Sequence, residues 1–306
     1  MSELPAPGDP VPRLDEALVQ RLLAAQFPHW AVLPVRKVRP GGWDNRTFRL
    51  GDGLSVRLPS ARHYVAAVEK EQLWLPRLAP HLPLPIPVPV ARGEPGEGYP
   101  FPWSVNRWLN GEVPTLQTIT QGGGDGVLFA MDLAGFLRAL QALDASDGPA
   151  AGAQNFHRGG HLAVYDAQAR EAIDRLAGEL DAGLARDAWD CALASCWTQP
   201  PVWVHGDVAP TNLLVQDGVL CAVIDFGTSG TGDPACDLVV AWTFLPPAAA
   251  AAFRGELALD EHTWARARGW ALWKAAIMLS GVSPGPHDAA HTRAVLQRVL
   301  AEHAAH

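Results

Sequence analysis

Residues 202–238, VWVHGDVAPTNLLVQDGVLCAVIDFGTSGTGDPACDL, constrain the fold of this chain more than any other stretch. Residues 202–204, 213–215 and 219–224 are short apolar runs of the kind that form strands. Gln216-Asp217-Gly218 between the last two has the composition of a tight hairpin turn. Such a hairpin brings Asp207, Asn212 and Asp225 to one edge of a small sheet. Two carboxylates and an amide gathered there match what phosphoryl transfer requires. One carboxylate accepts the proton of an acceptor hydroxyl, while the other and the amide oxygen hold magnesium against nucleotide phosphates. The bland alternative is a strand–turn–strand in which Asp and Asn serve only as turn caps.

The spacing decides between the two. His205-Gly206-Asp207, four residues and then Asn212 has the spacing of a kinase catalytic loop, and Ile224-Asp225-Phe226-Gly227 resembles the metal-binding segment that follows it. With Gly206 where protein kinases carry Arg, and with the trailing Gly232-Asp233-Pro234-Ala235-Cys236-Asp237-Leu238, the stretch is similar to the aminoglycoside phosphotransferase family of kinase-like small-molecule kinases. The resemblance implies an α+β, protein-kinase-like two-lobed fold, with a small antiparallel N-lobe sheet and a larger, mainly helical C-lobe. It also implies Asp207 as catalytic base, Asn212 and Asp225 as magnesium ligands, and His205 and Asp237 as braces of the loop. ATP, with GTP as the variant, would be the phosphoryl donor and a small-molecule hydroxyl the acceptor.

The N-terminal third carries the matching half. An amphipathic helix is expected over residues 14–27 and a strand over 32–38, and an Asp-Gly hairpin joins 47–50 to 54–58. Gly41 and Gly42 would let backbone N–H groups approach phosphates, with Asn45 beside them, or else they simply bend a hairpin. By the resemblance Arg57 stands where protein kinases have their phosphate-binding Lys, and a guanidinium stays charged and can fork two oxygens. A helix over 62–78, with Pro76 expected to kink it or stop it early, carries Glu71, which the resemblance implies is the acid behind Arg57. Glu69, two residues away, faces elsewhere. The Pro-alternating segment 81–89 reads as an extended connector and 99–109 as a strand. That strand resembles the hinge between lobes, with Trp108 and Leu109 offered to the adenine through main chain. The expected boundary separates an N-lobe, 1–107, from a C-lobe, 108–306.

Beyond it, helices are expected over 127–143, 167–184, 188–197, 262–279 and 288–303. Trp242, Trp264, Trp270 and Trp273 are offered either as core or as the wall of an acceptor pocket. An aminoglycoside, being polycationic, would call on acids near these helices, where Asp260, Glu261 and Asp288 are the supply. A macrolide, choline, homoserine or sugar acceptor fits equally. A nucleotide-binding protein without transfer activity is the alternative from another class, disfavoured because Asp207, Asn212 and Asp225 are all present.

Composition bounds the rest. A chain of 306 residues can bury two cores. A net charge of −8 argues against a nucleic-acid partner. No apolar run approaches the roughly 18 residues of a membrane span, and the N-terminus lacks signal-peptide character, so a cytoplasmic location is expected. Cys191, Cys196, Cys221 and Cys236 show no CxxC pairing and are expected to be free, buried thiols.

Overall fold

A computed structural model describes residues 13–39, 41, 44–121, 125–283 and 288–305. The described residues divide into two compact units, one within Met1–Gly111 together with Ala222–Gly227, the other within Glu112–Cys221 and Thr228–His306.

The first unit is built on a five-stranded antiparallel sheet of order β1-β2-β3-β5-β4. Its strands are β1 (Val35–Lys37), β2 (Asn45–Leu50), β3 (Leu54–Pro59), β4 (Pro89–Gly93) and β5 (Trp103–Arg107). The Asp-Gly turn produces the expected hairpin, with Leu50 opposite Leu54 and Asn45 opposite Pro59. Alternation assigns the two faces. Phe48, Leu50, Val56, Leu58, Trp103 and Val105 enter one core with Leu18, Val19, Leu22 and Leu23 of α1 (Glu16–Gln26). Asp15 starts α1 by accepting the Leu18 N–H at 3.0 Å, a cap that contributes about 1 kcal/mol.

Ser55 and Arg57 of β3 face the other way, opposite Asn106 and Ser104 of β5. On that face Gln72 of α2 (Val65–Leu78) reaches the Ser104 hydroxyl at 2.9 Å and the Ala91 carbonyl at 3.2 Å. Two expectations need correcting. Pro76 does not end α2, because it sits in the last turn, and the helix runs to Leu78 before a 3₁₀ turn. The strands expected over 32–38 and 99–109 shrink to β1 and β5.

The second unit is mainly helical: α3 (Leu116–Ile119), α4 (Val127–Gln141), α5 (Asp166–Arg175), α6 (Ala182–Leu193), α7 (Val240–Thr243), α8 (Pro247–Leu257), α9 (Glu261–Leu279) and α10 (Ala289–Ala304). Its short strands are β6 (Val202–Val204) paired with β9 (Gly230–Gly232), and β7 (Leu213–Gln216) paired with β8 (Val219–Val223), whose end carries the chain back to the first unit. Helix α9 is apolar on most sides, as a helix packed by neighbours all round must be. It touches α5, α6 and α10.

Trp242, Trp264, Trp270 and Trp273 are all at most 5% exposed, so each is packed into the helical core. The thiols also depart from expectation: Cys191 and Cys196 are exposed, Cys221 is half-buried, and only Cys236 is buried. No helix among the described residues is long and apolar enough to cross a membrane.

Asn106 is the misfit of the first unit. It is 1% exposed, and neither its Nδ2 nor its Oδ1 has a hydrogen-bond partner among the described residues. An unsatisfied buried amide costs about 1–3 kcal/mol. Asn106→Leu, of similar volume and without the amide, is therefore expected to raise stability by about 1 kcal/mol in chemical denaturation. A loss would show that the amide has a partner.

Candidate functional site

In the first unit the site residues converge on Arg57. Its Nη1 donates to both carboxylate oxygens of Glu71 at 3.1 Å, and its Nη2 to Asp225 Oδ1 at 3.0 Å. The Arg57 and Glu71 side chains are only 12% and 5% exposed. Burial works against the guanidinium charge, but Glu71 and then Asp225 outweigh it and hold Arg57 above its ordinary value. Glu69, the acid set aside in the sequence, faces elsewhere and pairs with Arg92 at 3.4 Å.

Asp225 sits at φ +65°, a left-handed conformation that Asp tolerates better than most residues, held here by its bond to Arg57. Its Oδ2 keeps no protein donor among the described residues. Lys70 closes the cluster by donating to the Gly227 carbonyl at 2.7 Å, a residue sequence reasoning passed over. Burial pulls its ammonium down to about 8, against the pull of Glu71 and Asp225.

Other residues singled out in this unit have mixed placements. Asn45 opens β2 and is buried. Gly42 lies outside the described residues. Of the hinge candidates, the Trp108 N–H already bonds to the Gly53 carbonyl at 2.9 Å, as the preceding Arg107 N–H does to the Val88 carbonyl at 3.0 Å, so neither N–H is free to donate to a nucleobase. The Trp108 ring lies under the Arg49 guanidinium at 4.6 Å. The Leu109 N–H has no such partner among the described residues and stays available.

The second unit carries its own cluster of the expected residues. β6 delivers His205-Gly206-Asp207, and the loop is clamped by one buried carboxylate: Asp237 accepts the N–H groups of His205 and Gly206, each at 2.7 Å. Gly206 has φ +86°, and a Cβ there would stand 2.6 Å from the Thr228 carbonyl, so only glycine fits. The Asp207 N–H donates to His205 Nδ1 at 3.2 Å, leaving the His205 proton on Nε2. Asn212 ends a 3₁₀ turn, and its Nδ2 donates to the Asp207 carbonyl at 2.9 Å and to Oδ2 at 3.0 Å. Its amide oxygen has no protein donor among the described residues.

The remaining carboxylate oxygen, Oδ1, accepts from Lys274 Nζ of α9 at 2.8 Å. Burial alone would push the Asp207 carboxyl up, but Lys274, and after it Arg158, more than reverse this and hold it at about 2. Sequence reasoning missed Lys274 and Arg158. The available signal was a single Lys on an otherwise apolar face, four residues beyond Trp270. Asp233, in the trailing motif, forms a buried pair with Arg266 of α9 at 2.6 Å.

Of the acids offered for a polycationic acceptor, Asp260 caps α9 and Asp288 caps α10, while Glu261 stands exposed in the first turn of α9. His161 caps a short 3₁₀ turn through Nδ1. Among the described residues one group could collect a metal by ligand type, Asp187 and Cys191 of α6 with His303 of α10, and there Asp187 already pairs with His303 at 2.7 Å.

The family model described as the phosphotransferase enzyme family matches residues 35–270. The chain belongs to that family. No curated protein sequence matches it. Its structural neighbours include the GDP complex of wild-type aminoglycoside 2'-phosphotransferase-IIIa, at TM-score 0.69 and 17% identity over 94% of this chain and 99% of that one. A macrolide 2'-phosphotransferase from Brachybacterium faecium aligns at TM-score 0.58 and 22% identity over 93% and 98%. A thermostable APH(4)-Ia in ternary complex with AMP-PNP and hygromycin B aligns at 0.62 and 19% over 94% and 99%. These likenesses give this phosphotransferase the α+β, kinase-like fold of its relatives.

Two outcomes are expected from the Arg57 cluster. Glu71→Ala strands a buried guanidinium beside Asp225 alone and should lower unfolding free energy by about 3 kcal/mol in denaturant titration. Lys70 binds its proton more weakly folded than unfolded. Between pH about 8 and the ordinary Lys value of 10.5 the unfolded chain therefore holds more protons, and stability rises with pH. Lys70→Met should flatten that rise in melts taken across this window.

Proposed function

We propose that this phosphotransferase moves the γ-phosphoryl group of ATP to a hydroxyl of a small molecule in the cytoplasm. The observation that carries the reading is the Asp207 loop. Asn212 fixes the Asp207 carboxylate through Nδ2 and leaves its own amide oxygen open. Asp207 would receive and orient the acceptor hydroxyl. Its low proton affinity suits a reaction whose loose transition state asks more for alignment than for strong base.

The remaining donors are hard oxygens, the Asn212 amide oxygen and the open Asp225 oxygen, which is the ligand type magnesium prefers. They would hold the ion, which when bound supplies neutralisation of phosphate charge. Arg57, kept charged by Glu71 and Asp225, would position phosphates through its remaining N–H groups. Gly42 and Asn45 would lie near the phosphates, and Leu109 would offer its N–H to the purine. His205 and Asp237 would keep the loop in shape without reacting.

The relatives' nucleotides, GDP, AMP-PNP and, in APH(2'')-Ib, ADP, support a purine nucleotide donor and admit GTP beside ATP. Their antibiotic ligands support a small-molecule acceptor. The test is a pooled screen of aminoglycosides, macrolides, nucleosides, amino alcohols and sugars with ATP and magnesium, scored by gain of one phosphate in mass. Asp207→Asn and Asp225→Asn are each expected to lower turnover of the hit by about 10³-fold or more with the fold intact. Undiminished turnover in either removes that residue's assigned role.

A further inference from the structure

The surroundings of Asp207 within the second unit are cationic. Lys274 Nζ has three N–H groups and donates one to Asp207 Oδ1 at 2.8 Å, with no other protein acceptor among the described residues. Its side chain is 36% exposed and that of Asp207 34%, so the open N–H groups and the carboxylate are both within reach of a ligand.

Arg158 adds a second, fixed positive charge. Its guanidinium lies 4.9 Å from the Trp270 ring centre and 5.2 Å from that of Trp273, and its Cβ would be 3.0 Å from a side chain at Gly206. Its Nη1 is shut off from solvent without a hydrogen-bond acceptor among the described residues, and the indole faces, with Tyr165 beside them, hold the guanidinium in place. Trp273 is itself fixed, stacked on Tyr165 at 4.0 Å and bonded to Gln168 at 2.8 Å.

Several acids of the neighbouring elements are engaged elsewhere. Asp166 bonds Arg170 and Trp189. Asp233 bonds Arg266, and Glu302 bonds Arg254, Arg268 and Trp242. Asp237 holds the loop backbone, and Asp260 and Asp288 cap helices. Lys274 thus sets a positive charge directly beside Asp207, where the acceptor hydroxyl is to sit, and Arg158 adds to it from farther off.

We propose that the acceptor carries an anionic oxygen, a carboxylate or phosphate, close to the hydroxyl that is phosphorylated, and that Lys274 selects it. This rests on Asp207 being the residue that receives that hydroxyl. One Lys274 N–H stays on Asp207 while another binds the acceptor's anion, which ties the anion's position to that of the base. A polycationic acceptor meets like charge at the same place.

The experiment uses three hexoses differing in charge: D-glucuronate, D-glucose and protonated D-glucosamine. Each is titrated into the full-length protein and followed by NMR. A charge-assisted hydrogen bond predicts glucuronate binding about tenfold or more tighter than glucosamine. Lys274→Met is expected to erase the difference and Lys274→Glu to invert it, both at a part-exposed position where circular dichroism checks the fold. Glucosamine binding as tightly as glucuronate, no hexose binding at all, or the same order retained in Lys274→Met overturns the proposal.

Phosphoryl transfer to the acceptor pool, compared with Asp207→Asn, is scored separately. Transfer without the charge order removes only the selection by Lys274. The charge order without transfer removes the phosphotransfer reading and leaves an anion site.

Discussion

The first unit depends on keeping one guanidinium charged out of water. Arg57 sits on β3, on the sheet face away from the apolar core, and would be costly there without anions. Glu71 reaches it from α2, and Asp225 reaches it from a segment far along the chain. A buried cation stripped of one anion loses several kcal/mol, whereas the complete triad is near neutral in cost. The network therefore fixes three separate elements in mutual register: β3, α2 and the 222–227 segment. It also explains why Asp225 can hold a left-handed backbone, since the strain of that conformation is offset by its bond to Arg57.

The second unit solves the opposite problem. Its loop at 205–207 has backbone donors to satisfy in a buried place, and a single carboxylate, Asp237, takes two of them at once. Asp207 beside it is left to the side chains, where Asn212 and Lys274 take one oxygen each. The carboxylate is thereby ionised and aimed at the same time. One acid shapes the loop and the other is presented by it, and they differ in environment more than in chemistry: Asp237 is fully buried while Asp207 is a third exposed.

What the sequence disclosed was local. The Asp-Gly hairpin, the amphipathic helices and the 205–212 and 224–227 motifs are patterns within a few residues, and the family resemblance, with helical spacing, separates Glu71 from Glu69. What it withheld was long-range. Lys274 lies 67 positions from Asp207, and Arg266 lies 33 from Asp233. No periodicity links them, because a buried ion pair across elements leaves no local trace. Strand lengths at β1 and β5 were overestimated because apolar runs extend past the point where a neighbouring strand is there to bond. The tryptophans of α9 could not be placed on core or surface by spacing, since a helix packed by neighbours on most sides has no single apolar stripe.

The discontinuity of the first unit bears on how the chain is made. Residues to Gly111 leave the ribosome long before the segment Ala222–Gly227 that belongs with them. At ordinary elongation rates the roughly 110 intervening residues take about 5–20 s. During that interval Arg57 and Glu71 can pair, yet Asp225 has not been synthesised. The sheet must then wait as a nascent intermediate that lacks one of its anions. A fragment ending near Gly111, however well it buries its apolar core, is in the same condition permanently.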